Sequence, residues 1–142
     1  CTDIGNAYLE TYTKEMVCSV AWKEFGDLSG HLFIIDKALY GLRTSGLRWH
    51  DKFADCLRDM GFTPCKAEPD IWMILNTEFC IYEYIAVYVD DLAIAAKNCK
   101  EITDILTNKY KFKLKGTGPI KYHLGMDFFR DQHNTLCMAP RK

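Results

Sequence analysis

The 142-residue chain has no apolar run approaching the roughly 18 to 20 uncharged residues that cross a bilayer. Its first residues, CTDIGNAYLE, lack the basic start and apolar stretch of a secretory leader, so neither secretion nor membrane insertion is signalled. It has no internal repeat, no low-complexity tract and no Pro/Ser-rich linker, and one domain over residues 1–142 is expected. The seven cysteines (Cys1, Cys18, Cys56, Cys65, Cys80, Cys99, Cys137) include no C-x-x-C pair and are odd in number. That argues against a disulfide framework and a zinc site, and for reduced thiols in a reducing compartment. The four histidines are equally dispersed and receive no metal role. A net charge of -1 lacks the overall basic excess of a nucleic-acid binder.

What is present points to a packed core: 49% of residues are hydrophobic and 13% aromatic, too many for large-scale disorder. The charge is also unevenly spread. Residues 1–96 hold 8 basic and 15 acidic side chains, whereas residues 97–142 hold 10 basic and 4 acidic. An acidic part beside a basic one suits a carboxylate site for metal ions next to a surface for phosphates, and equally suits solvated surface lysines. The first residue is Cys rather than Met, so the chain is expected to be a piece of a longer protein.

Periodicity predicts two helices. The first runs from about Ser45 to Met60, with Leu47, His50, Phe53, Ala54, Leu57 and Met60 near one face, Thr44 or Ser45 as cap and Gly61 as the left-handed stop. The second starts at NCKE, where Asn98 caps and Glu101 reaches back, buries Ile102, Ile105, Leu106 and Tyr110, and frays into KFKLKGTGP. Residues 3–20 mix strand formers with turn residues, and a short strand HLFIID follows the loop GDLSG. Between the helices, FCIYEYIAVYVDDLAIAA reads as two strands with a tight turn at the aspartates. A last hairpin turns near Asp131–Asn134. The expected fold class is α+β: an antiparallel sheet with two helices packed on one face, plus a C-terminal β-hairpin.

Two adjacent carboxylates, Asp90 and Asp91, at the tip of an apolar hairpin repel each other unless a cation neutralises them. Mg²⁺ is the economical partner: it takes carboxylate oxygens and substrate phosphates and keeps several waters. Two such ions about 3.5 to 4 Å apart clamp the attacking and leaving oxygens of a phosphoryl displacement. Asp3 is the candidate third carboxylate, on a strand expected beside the hairpin. Simple turn chemistry for Asp90–Asp91 and a cap role for Asp3 are the competing explanations.

YVDD (Tyr88–Asp91) resembles the catalytic motif of reverse transcriptases, and DIGNAY (Asp3–Tyr8) resembles their first metal-binding motif. KALYGLRTSGLRWHDKF (Lys37–Phe53) and KYKFKLKGTGPIKYHLGMDFFR (Lys109–Arg130) are similar to blocks of copia-type long-terminal-repeat retrotransposons, and the four blocks, in order, cover nearly the whole chain. The resemblance implies a polymerase palm of ferredoxin-like type within a Pol polyprotein. The implied reaction is RNA-directed DNA polymerisation by nucleotidyl transfer to a primer 3′-hydroxyl. It implies Asp3, Asp90 and Asp91 as ligands of two Mg²⁺ ions, with Mn²⁺ as substitute. It implies Tyr8 beneath the incoming sugar, Tyr88 near the primer terminus, Tyr40, Gly41 and Arg43 on the nucleotide and template side, and Leu124 and Gly125 in a primer-gripping hairpin.

The implied partners are an RNA/DNA template-primer, a deoxynucleoside triphosphate and the integrase and ribonuclease H parts of the polyprotein. The implied location is the cytoplasm, in a retrotransposon particle, or the nucleus. Where the family reads K-Q-S-P-R after YGL, this chain has Arg43, Thr44, Ser45, Gly46 and Leu47, which leaves one basic contact. The resemblance implies that the fingers, thumb and ribonuclease H portions lie outside these 142 residues. A catalytically inactive nucleic-acid-binding remnant of a decayed element is the rival reading. A nucleotide cyclase would need a Gly-rich turn in place of YVDD. The basic tail, Lys111, Lys113 and Lys115 in particular, is the expected phosphate-contacting face.

Overall fold

In a computed structural model describing residues 1–141, the β-branched and aromatic runs form antiparallel strands, and the two amphipathic runs form the α-helices. The class is α+β. Chain contacts group into two units, residues 6–56 and residues 1–5 with those from Leu57 onward.

The second of these units is built on a six-stranded antiparallel sheet. Its strands are β1 (Thr2–Ile4), β4 (Thr63–Pro64), β5 (Ile71–Asn76), β6 (Ile81–Tyr88), β7 (Asp91–Ala95) and β8 (Leu114–Lys115), in the order β4-β5-β6-β7-β1-β8. Register explains which face is buried. Trp72 lies opposite Ile85, Ile85 opposite Ile94, Val87 opposite Leu92, and Leu92 opposite Thr2, so these residues share one face of the pleat. Ile4, Ile85 and Leu92 on that face are fully buried, as is Leu106 of α2 (Cys99–Asn108). Asn98 caps α2 as expected, its side-chain oxygen accepting from the Glu101 N–H. The last strands, β9 (Tyr122–His123), β10 (Met126–Arg130) and β11 (Leu136–Pro140), make a three-stranded sheet, with the β10–β11 turn where the sequence places it.

The other unit holds the hairpin β2 (Tyr12–Val20) and β3 (Leu32–Lys37), irregular between Tyr12 and Val17, and the start of α1 (Ser45–Asp59). One face of this hairpin, carrying Val20, Leu32 and Ile34, is exposed. In α1, Trp49, Phe53, Ala54 and Leu57 are buried. The helix closes with a Schellman arrangement: the Phe62 N–H donates to Leu57 and the Gly61 N–H to Arg58, with Gly61 at φ 90°.

Several local expectations are corrected. The KFKLK run does not fray from α2 but supplies β8. Its alternation of lysine with Phe112, which is buried, and Leu114, which is half-buried, is itself a strand pattern. IWMILN, unassigned from the sequence, is β5. Ser45 does not cap α1, because its hydroxyl is buried without a hydrogen-bond partner, and Thr44 contributes only its carbonyl, to Arg48. Leu47 is exposed rather than on the buried face, and Tyr110 turns outward to donate to Asp59.

Candidate active site

The β6–β7 hairpin turns on two residues, Val89 and Asp90, between the paired Tyr88 and Asp91. Asp91 is thus the first residue of β7 rather than part of the turn. Val89 has φ 56°, in a region that favours glycine at the first position of such a turn. A β-branched residue there costs about 1 to 3 kcal/mol, an outlay found where surrounding structure over-determines a functional loop.

β1 completes the arrangement. The Ile4 N–H donates to the Asp90 carbonyl at 2.8 Å, and Asp3 lies directly opposite Asp91 on one side and Lys115 on the other. Directly opposed residues of antiparallel strands point to the same face. Tyr88, Asp91, Asp3 and Lys115 therefore form one row across β6, β7, β1 and β8, on the face away from the buried core, with Asp90 at the adjacent turn. Partial burial, then the like charges of Asp90 and Asp91, push the Asp3 carboxyl above its ordinary pKa, and the Lys115 ammonium pulls it back. On the same face a half-open apolar groove of about 850 Å³ is lined by Tyr84, Ala86, Ala93 and Ala95, among others.

The donor set matches a hard divalent cation in kind: carboxylate oxygens whose mutual repulsion a cation would relieve. It is an open set. Among the described residues no group of three or more His, Cys, Asp or Glu side chains is gathered closely enough to hold an ion unaided. Mg²⁺ sites that share the ion with substrate phosphates are of this open sort.

Residues 1–139 match the family described as reverse transcriptase (RNA-dependent DNA polymerase). The chain belongs to the reverse transcriptase family. It is similar to the putative transposon Ty5-1 protein YCL074W of Saccharomyces cerevisiae, 28% identical over 104 residues, 71% of this chain and 32% of that protein. It is also similar to the retrovirus-related Pol polyprotein from transposon RE1 of Arabidopsis thaliana, 25% identical over 128 residues, 88% of this chain and 9% of that protein. A third relative is the retrovirus-related Pol polyprotein from transposon TNT 1-94 of Nicotiana tabacum, 28% identical over 101 residues, 69% of this chain and 7% of that protein. This reverse transcriptase segment thus spans a third or less of the length of these relatives. No solved structure matches it.

The remaining candidate residues of the reverse transcriptase segment fall in two places. Leu124 and Gly125, at φ 49° and 79°, form the two-residue turn between β9 and β10, with His123 opposite Met126. Positive φ at both positions is the hairpin turn that follows strand twist most closely. In the other unit, Tyr8 follows Asn6 at φ 59°, and its ring lies 4.2 Å from that of Tyr40, tilted by 30°. Gly41 follows Tyr40 at φ 95°, a conformation that suits glycine, with Arg43 two residues on. Lys115, expected from the sequence as a phosphate contact, stands opposite Asp3, a pairing that sequence reasoning did not foresee. Cys1, Cys18, Cys56, Cys65, Cys80, Cys99 and Cys137 are all free thiols. No helix among the described residues is long and apolar enough to cross a membrane.

Proposed function

We propose that the chain is the palm segment of a copia-type retrotransposon RNA-directed DNA polymerase, joining a deoxynucleotide to a primer 3′-hydroxyl on an RNA template. The observation that carries this reading is the row Tyr88, Asp91, Asp3 and Lys115, with Asp90 at its end, on the open face of the sheet. Asp3, Asp90 and Asp91 would hold two divalent cations, Mg²⁺ or Mn²⁺. Such ions, when bound, neutralise the triphosphate and activate the primer hydroxyl.

The chain's own residues do the positioning. β1 holds Asp3 against the hairpin through the Ile4 to Asp90 hydrogen bond, which fixes the carboxylates before substrate arrives. Tyr88, with 58% of its surface exposed next to Asp91, would contact the primer end. The Leu124–Gly125 turn would press on the primer backbone. Tyr8 would pack under the deoxyribose and leave no room for a 2′-hydroxyl, with Tyr40 supporting its ring. Gly41 and Arg43 would approach the nucleotide and template. The rest of a Pol polyprotein, including integrase and ribonuclease H, would supply the other surfaces of the duplex cleft, in the cytoplasm within a particle or in the nucleus.

The test is primer extension on an RNA template by the full-length polyprotein enzyme. Asp90→Asn should lower the rate by at least roughly a hundredfold while leaving template-primer binding intact; undiminished extension rejects the reading. The openness of the carboxylate set also accommodates an inactive nucleic-acid-binding remnant, which would bind template-primer and extend nothing even as wild type.

A further inference from the structure

Lys115 lies opposite Asp3, and its side chain does not run straight out from β8. A Cβ on Gly5 would stand 2.7 Å from its Cε and 3.1 Å from its Nζ, so the end of the lysine chain occupies the space that any other residue at position 5 would fill. Gly5 is two residues beyond Asp3 on the same face, and its N–H is tied to the Lys113 carbonyl at 2.8 Å. The end of the Lys115 chain thus rests over the bare α-carbon of Gly5, two residues from Asp3 along the same face of β1.

Building on the reading above, we propose that Lys115, seated on Gly5, is a positioning residue: a tethered cation that partly neutralises the Asp3, Asp90 and Asp91 cluster and weakens its hold on divalent ions. A cluster of carboxylates with no internal counter-charge attracts a divalent cation more strongly and resists closing without one. With Lys115 in place the sheet closes in the absence of metal, and the ions remain exchangeable.

The readout is Mn²⁺ binding by this 142-residue chain, followed by calorimetry and by the rise in melting temperature that Mn²⁺ produces. Lys115→Met should tighten Mn²⁺ binding about three- to tenfold, lower the melting temperature without metal and enlarge the Mn²⁺-induced rise. Lys115→Arg should stay within about twofold of wild type because it keeps the charge. Gly5→Ala displaces the ammonium and should shift affinity in the same direction as Lys115→Met. A purely structural lysine would lower both melting temperatures equally and leave the affinity alone.

Mn²⁺ binding that survives in wild type, disappears in Asp90→Asn and is unchanged or weaker in Lys115→Met overturns this proposal alone. Wild-type chain that binds no Mn²⁺ overturns the metal reading and this proposal together.

Discussion

Asp3→Asn should make the metal-free chain more stable, although it removes a residue assigned to the reaction. Asp3 faces Asp91 across a ladder and neighbours Asp90, and both like charges raise its pKa on top of partial burial, against the opposing pull of Lys115. Facing residues in an antiparallel pair sit about 5 Å apart, so at an effective dielectric of about 40 to 80 each carboxylate repels Asp3 by roughly 1 to 1.5 kcal/mol. Lys115 offsets about one such contribution, and half-exposed groups are further screened, leaving a net gain of about 1 kcal/mol for the neutral isostere. For a chain of this size that is a rise in melting temperature of about 3 to 5 °C.

The pH dependence carries the sign. A carboxyl whose folded pKa is raised is held protonated by the fold, so wild type loses stability as pH climbs from the ordinary Asp value through the folded one. The advantage of Asn should therefore be absent in acid and complete above that range. Thermal unfolding followed by circular dichroism from pH 3 to 8, in chelator and then in Mn²⁺, measures both effects. Mn²⁺ should raise the melting temperature of wild type and leave the variant where it was. A variant that melts below wild type at neutral pH, or whose difference from wild type does not change with pH, refutes the electrostatic account.

Ile85→Ala empties a fully buried position between Trp72 and Ile94 and should cost about 2 to 4 kcal/mol in urea unfolding. Gly61→Ala places a side chain at φ 90° and 3.2 Å from the Ile74 Cδ1, so unfolding should show a loss of about 1 to 2 kcal/mol. Asp59 accepts from Lys109 at 2.7 Å and from the Tyr110 hydroxyl at 2.5 Å, and these partners hold its carboxyl below its ordinary pKa. Asp59→Asn should be less stable than wild type at neutral pH, and the two stability curves should converge as pH falls through the depressed Asp59 value.

Local signals carried much of this. The apolar stripe and Gly61 located α1, Asn98 located the start of α2, and alternation around Ile85 and Val87 located β6. Ile71–Asn76 escaped because IWMILN does not alternate between apolar and polar residues. KFKLK follows directly on the apolar stripe of α2, so its short period of two is masked by the helix signal before it. The pairing of Asp3 with Asp91 could be guessed from family resemblance, but that of Asp3 with Lys115 could not, since nothing local in TDI announces which distant strand flanks it. Nor does sequence show that Gly5 is bare to make room for a lysine; that requires the two strands side by side.

The three-residue strand β1 bonds to partners that are translated much later: residue 3 must wait for residues 91 and 115. At ribosomal speeds of about 5 to 20 residues per second, residue 115 follows residue 3 by on the order of ten seconds, and for the last few of these all three acidic motif residues exist without a finished sheet edge. Contacts of such long sequence separation also form slowly once the chain is free. A premature stop shortly after α2 would therefore yield a product that carries every aspartate of the motif and still lacks the strand that flanks the first of them.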